Sequence, residues 1–254
     1  MLAIENVSFA YGRGRRVLDG VSLRVGAGEF AAVLGANGAG KSSLLKIASG
    51  YARPDVGRVM LGGADIAGLS ARELARMRAV LEQECPLTFE YTVGEVVALG
   101  GYSRGGLLGL SADVSESLES VGLAGFEKRK YSELSGGEKR RVQLARALCQ
   151  LGENPKLLLL DEPSAGLDPA HAHAAMSAAR EVAERGAAVV AVLHDPNLAA
   201  AYADKIALLK DGKISSFGSA ESAMRAELLG EVYGADCEIV SDGIRNVAYF
   251  PPKK

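Results

Sequence analysis

Phe30-Ala31-Ala32-Val33-Leu34-Gly35-Ala36-Asn37-Gly38-Ala39-Gly40-Lys41-Ser42 decides how this chain folds. Phe30 to Leu34 is apolar without alternation, which reads as a strand buried on both faces. Gly35 to Ser42 then matches G-x-x-x-x-G-K-[ST] in full. Gly35, Gly38 and Gly40, with Ala36, Asn37 and Ala39 between them, let backbone N–H groups close around phosphate oxygens. A helix carrying Leu44, Leu45 and Ile47, ended by Gly50, adds the positive end of its dipole. Lys41 can reach the β- and γ-phosphates, and the Ser42 hydroxyl can ligate Mg2+. A Gly-rich turn with a chance Lys-Ser is the plain alternative, and the complete pattern between strand and helix makes it a poor one. Alone, the loop says only that a nucleoside triphosphate binds.

Outward from the loop, the chain alternates between strand and helix signals. Leu2 and Ile4, then Val21, Leu23 and Val25, alternate with polar residues, as half-buried antiparallel strands do. Val59–Leu61, Gly62-Gly63 and Ala64–Ile66 read as a hairpin. Ser70-x-x-Glu73 and Thr92-x-x-Glu95 are capping boxes that start helices, with the short strand Val80-Leu81 between them. Residues 84–150 carry helix signals almost alone, with Val114, Leu118 and Val121 on one amphipathic face. Strand and helix then alternate again: strands at Leu157–Leu160, Ala187–Leu193 and Ile206–Leu209, helices at Ala170–Glu184 and Leu198–Ala203. Asp211-Gly212 turns into Lys213-Ile214, and a last hairpin is expected from about Cys237 to Val247. The chain is thus expected to be one α/β domain, with 1–83 and 151–254 forming the core and 84–150 an inserted helical subdomain.

Composition narrows the function. The chain has 254 residues, and 29 Lys plus Arg against 31 Asp plus Glu leave a net charge of −2. That balance argues against binding nucleic acid or anionic membrane by bulk charge. Apolar residues make up 48% and aromatics only 6%, so Ala, Leu and Val must build the core. Cys85, Cys149 and Cys237 form no CxxC pair, which disfavours a disulfide framework or zinc site and fits a reducing compartment. Cys85 reads as an inert thiol. The N-terminus lacks a secretory pattern, and the apolar run Ala187–Leu193 is far short of the roughly 20 residues of a spanning helix.

Leu157-Leu158-Leu159-Leu160-Asp161-Glu162 is a second buried strand, ending in two carboxylates. Ligands of open parallel sheets bind beyond the C-terminal strand ends. Asp161 is therefore placed to hold Mg2+ through water and Glu162 to polarise an attacking water. Leu134-Ser135-Gly136-Gly137-Glu138 is a capping box with open glycine amides. On local physics it is equally an ordinary helix start or an anion-binding helix tip.

With this segment in that order, the chain resembles the ATP-binding cassette (ABC) ATPases from residue 1 to about 230. The resemblance implies a P-loop NTPase fold: a RecA-like core with a mainly parallel sheet, an N-terminal antiparallel β subdomain and the inserted helical subdomain. It implies ATP and Mg2+ as cofactors, and two subunits paired head to tail. Ser135, Gly136 and Gly137 of one subunit would then face the phosphate loop of the other, including Ser42 and Ser43. Tyr11, otherwise a strand-end tyrosine, resembles the aromatic that stacks on adenine. Gln83, uninformative alone, resembles the glutamine that senses Mg2+ or water and moves the helical insert. Ser164-Ala165-Gly166-Leu167-Asp168 resembles the loop that crosses the dimer interface, and His194 the switch histidine on the γ-phosphate. Ala36 replaces a common Pro and Ser43 a common Thr, and neither change removes a needed atom. His171 and His173 read as surface residues, and Lys139-Arg140-Arg141 as a solvated helix face.

A single cassette resembles the separate ATPase subunits of transporters. Leu74–Gln83 and Pro86–Gly100 are similar to the bacterial importers of iron chelates, haem and cobalamin. Tyr131–Arg146 and the insertion Gln150–Lys156 are most similar to the haem importers. The implied partners are a second ATPase subunit, an integral-membrane permease dimer and, indirectly, a periplasmic binding protein. The implied place is the cytoplasmic face of the inner membrane, held by the permease, with no contact with the cargo. Ferric siderophore or cobalamin import, and a non-transport ATPase of iron–sulfur assembly, remain the alternatives.

Overall fold

The computed structural model describes residues 1–252 except 13, 83–89, 105–110, 153–155 and 242–245. The chain opens with β1 (Leu2–Ala10) and β2 (Arg16–Val25), followed by β3 (Phe30–Leu34) and α1 (Lys41–Ser49). Next come β4 (Val56–Leu61), β5 (Ala64–Asp65), α2 (Ala71–Met77) and β6 (Arg78–Leu81). Between β6 and β7 (Leu157–Asp161) lie α3 (Val93–Ala98), α4 (Ser111–Ser120) and α5 (Gly136–Leu151). The described part of that stretch holds no strand, which is the expected helical insert.

After β7 come α6 (Pro169–Glu184), β8 (Ala188–Val192), α7 (Pro196–Tyr202), β9 (Lys205–Lys210) and β10 (Lys213–Ser219). The chain then adds α8 (Ala220–Ala223), α9 (Ala226–Tyr233) and a hairpin of β11 (Glu238–Ser241) and β12 (Asn246–Tyr249). The hairpin lies slightly later than the expected 237–247. The two short helices before it carry no sequence expectation at all.

Six strands form the main sheet in the order β10-β9-β3-β8-β7-β6. β9, β3, β8, β7 and β6 run parallel, and β10 is antiparallel to β9. β1 pairs antiparallel with β2 and β4 in a separate four-stranded sheet. The pleat of the main sheet divides the core. Ala31 and Val33 pack with Leu2, Ile4, Leu18 and α1 on one face. Phe30, Ala32 and Leu34 pack with α5, α6 and the insert on the other. Leu157 to Leu160 are each 0% exposed, and at about 2 kcal/mol per buried leucine they anchor both layers.

The strand order places the site. β3, β8 and β7 are neighbours, and their registers coincide: Val33 pairs with Val192, and Asp161 pairs with Val192. Leu193 N–H donates to the Val33 carbonyl at 3.1 Å, and Glu162 N–H to the Val192 carbonyl at 3.1 Å. The loops after all three strands therefore leave the sheet at one level and on one edge.

Candidate active site

Gly35 begins the loop after β3 because the sheet crowds it. A Cβ there would lie 2.3 Å from the Leu209 carbonyl oxygen of β9. Gly40 caps α1 at φ 105, a left-handed conformation that only glycine takes without strain. Between them Asn37 and Gly38 form the exposed crown of the loop, while Gly35, Ala39 and Gly40 are buried. The Lys41 ammonium folds into the curve and donates to the carbonyls of Gly35 at 2.7 Å and Ala36 at 2.9 Å. Burial pushes it below the ordinary lysine value, while Glu162 and Asp161 pull it back.

Asp161 closes β7, and its Oδ1 accepts from the Ser42 hydroxyl at 3.3 Å. These are hard oxygen donors. Among the described residues no three His, Cys, Asp or Glu side chains converge as a metal cage. One hydroxyl and one carboxylate beside a phosphate loop fit Mg2+, which is bound by few protein groups together with substrate phosphates. Burial pushes the Asp161 carboxyl above the usual aspartate range, and the Ser42 hydroxyl opposes this. A raised carboxyl means that folding disfavours the ionised form. That penalty is absent below the unfolded value of about 3.9 and complete above the folded one. Asp161→Asn is therefore expected to raise the thermal midpoint of the chain without nucleotide at neutral pH. The gain should vanish as the pH falls to about 4 in a scanning-fluorimetry series. A lower midpoint at neutral pH would contradict the sign.

Glu162 follows with φ 52, a left-handed conformation that is rare for a side chain of this size. Such strained positions cluster at functional sites. The bend turns the carboxylate toward the loop after β8, where Oε1 lies 2.6 Å from His194 Nε2. The Glu162 side chain is 16% exposed and that of His194 47%. A proton acceptor and an imidazole thus meet beside the phosphate loop, an arrangement suited to activating and placing a water for attack.

Ser135, Gly136 and Gly137 open α5. Ser135 Oγ accepts from Glu138 N–H at 3.2 Å, and a Glu138 carboxylate oxygen accepts from Ser135 N–H at 2.8 Å. Ser135 and Gly136 are exposed, and Gly137 lies against the 164–168 loop, where a Cβ would be 3.3 Å from Leu167. Asp168 caps α6 by accepting from His171 N–H at 3.0 Å, a bond that also holds its carboxyl below the usual range. His173 Nδ1 pairs with the Tyr202 hydroxyl at 2.9 Å. Tyr11 is 55% exposed, with its hydroxyl 3.3 Å from Ser43 Oγ on α1. Gln83 and Cys85 lie outside the described residues. Cys149 is buried and Cys237 half-buried, and neither is in a disulfide.

The basic run is not a solvated face. Arg141 is buried, and its Nη1 donates to the carbonyls of Val121 at 3.1 Å and Gly122 at 3.0 Å. Arg140 Nη1 donates to the Glu82 carbonyl at 2.8 Å, and Nη2 to those of Asp161 and, at 2.8 Å, Glu162. Only Lys139 keeps the expected character, half-exposed beside the Tyr131 ring. The signal missed was geometric: consecutive helical residues point about 100° apart, so three in a row cannot share one face.

The ABC transporter family profile matches residues 18–165, which span the phosphate loop, the 134–138 segment and Asp161-Glu162. The chain belongs to the ABC transporter family. Members of this family work with a permease and as dimers. This cassette is 47% identical over 228 residues to a hemin import ATP-binding protein HmuV of Gloeobacter violaceus, covering 87% of this chain and 83% of the relative. It is 40% identical over 246 residues to the protein of the same name from Rhizobium meliloti, covering 94% of each. Its fold is similar to a solved inward-facing putative metal-chelate type ABC transporter. That match has TM-score 0.81 and 25% identity, and covers 100% of the cassette and 97% of the other chain. No helix among the described residues is long and apolar enough to cross a membrane.

Proposed function

We propose that this cassette is the ATP-hydrolysing subunit of a bacterial haem importer. The observation that carries the chemistry is the 2.6 Å contact of His194 with Glu162 at the edge where the phosphate loop emerges. The amides of Gly35–Ser43 and the Lys41 ammonium hold the triphosphate, and the Tyr11 ring stacks on adenine. Ser42, Asp161 and Gln83 would hold Mg2+, which when bound neutralises charge on the phosphates. Glu162 accepts the proton of the attacking water, and His194 sits on the γ-phosphate side. Ser135, Gly136, Gly137 and Asp168 serve the nucleotide gripped by the other subunit of a homodimer.

ATP that touches both subunits binds the closed dimer better than the open one, so it shifts the population toward closure. Closure moves the helical insert (84–150) against the core (1–83 and 151–254). A permease dimer docked on the insert carries that motion into the membrane, and the cassette stays peripheral on its cytoplasmic face. The cargo reaches the permease from a periplasmic binding protein and never meets this chain. The assignment of haem is supported by the named relatives, because no residue here reads cargo.

Reconstitution tests it. In vesicles holding the cognate permease, ATP turnover is expected to rise with haem-loaded binding protein and not with proteins loaded with ferric siderophore or cobalamin. Stimulation by one of the latter alone would reassign the cargo. A cassette that fails to bind the permease would overturn the importer reading in favour of a non-transport ATPase.

A further inference from the structure

The C-terminal segment reaches the switch loop from a side that the phosphate chemistry does not use. Tyr233, the last residue of α9, donates its hydroxyl proton to the His194 carbonyl oxygen at 3.2 Å. The Gly35 backbone, at the base of the phosphate loop, acts on the same phenol oxygen. Three residues past His194, the Asn197 amide brackets β12. Its Nδ2 donates to the Ala248 carbonyl at 3.2 Å, and its Oδ1 accepts from Ala248 N–H at 2.7 Å. Phe250, just beyond β12, meets the Tyr233 ring edge-on at 5.5 Å. An ion pair of Lys210 with Glu231 at 2.9 Å ties α9 to the end of β9. Residues 194–197 are thus held at one end by a phenol and at the other by a strand.

His194 needs such a hold. Its side chain is nearly half exposed, so packing contributes little to its orientation. Its place opposite Glu162 depends on where its main chain sits. Burial pushes the Tyr233 phenol up to about 12, so it remains a donor across the neutral range.

We propose that Tyr233 is a positioning residue for ATP hydrolysis: its hydroxyl fixes the His194 main chain against the base of the phosphate loop and so keeps the imidazole on Glu162. This rests on the assignment of His194 to the γ-phosphate side. The C-terminal segment is then part of the hydrolytic apparatus, and whatever displaces it slows turnover without touching nucleotide.

Tyr233→Phe in the full chain removes the donor and keeps the ring, including its contact with Phe250. Turnover is expected to fall about three- to tenfold, the equivalent of one hydrogen bond. KM for ATP should stay within about twofold, since the triphosphate grip is untouched. The chain has three histidines, so each imidazole proton signal can be resolved by NMR and that of His194 assigned by its loss in His194→Ala. In Tyr233→Phe the His194 signal should move, while those of His171 and His173 stay. Added to His194→Ala, Tyr233→Phe should change turnover no further. Wild-type turnover in Tyr233→Phe beside an inactive His194→Ala would overturn this inference alone. So would an equal, additive loss in both backgrounds, which marks a merely structural role. Wild-type turnover in His194→Ala would overturn the reading of His194 itself, and this inference with it.

Discussion

Glu162→Gln is expected to bind ATP and lose turnover by about 10²- to 10⁴-fold, the range of a lost general base. Glutamine keeps the size of the side chain and an oxygen for His194, whose Nε2 lies 2.6 Å from Oε1. It cannot take up the proton of an attacking water. It also removes a negative charge from the place where the γ-phosphate would sit, so nucleotide binding should not weaken. Glu162 supports the charge of Lys41. Asp161 supports it as well and remains in the variant, so the lysine still faces a carboxylate. With hydrolysis blocked and binding intact, the dimer closed around ATP has no exit and accumulates. A phosphate-release assay gives the first effect, and light scattering with and without ATP gives the second. Turnover like that of the wild type would show that another group activates the water.

The parts of this site that sequence reveals are those set by neighbours in the chain. Three capping boxes, Ser70/Glu73, Thr92/Glu95 and Ser135/Glu138, each form both of their hydrogen bonds. They depend on residues three apart and on nothing distant. The phosphate loop is equally local. The order of the main sheet is not, because β3 lies between β8 and β9 through pairings more than 150 residues apart, and alternation of side chains says nothing about partners. α9 escaped for a related reason. Its N-cap is Arg225, which makes no side-chain capping bond, and Gly230 lies in its middle, so its start is unmarked even though Leu228, Leu229, Val232 and Tyr233 keep a helical spacing. The left-handed backbone of Glu162 is likewise imposed from outside, by the Val192 carbonyl on its N–H and by Arg140 on its own carbonyl.

Arg140→Met is expected to lower stability by about 2–4 kcal/mol, the scale of losing charge-assisted hydrogen bonds to buried acceptors. The carbonyls of Asp161 and Glu162 end β7, and that of Glu82 follows β6. The planar guanidinium serves the three together, and the Glu162 carbonyl also accepts from Ala165 N–H at 3.0 Å. Arg140→Lys should recover only part of the loss, because one ammonium on a shorter reach cannot replace two forked donors. Catalysis should suffer beyond stability. Arg140 holds the Asp161 carboxyl down against the burial that raises it, so its removal favours a protonated Asp161. It also pins the bend that aims Glu162, and it does so from α5, whose first turn is Ser135-Gly136-Gly137. In the proposed dimer, the helix offered to one nucleotide would therefore be bolted to the carboxylate serving the other, which would link the two sites through one side chain. Urea titration measures the stability loss. Turnover per folded molecule, taken well below the unfolding midpoint, measures the rest. A methionine variant as stable and as active as the wild type would leave Arg140 no such part.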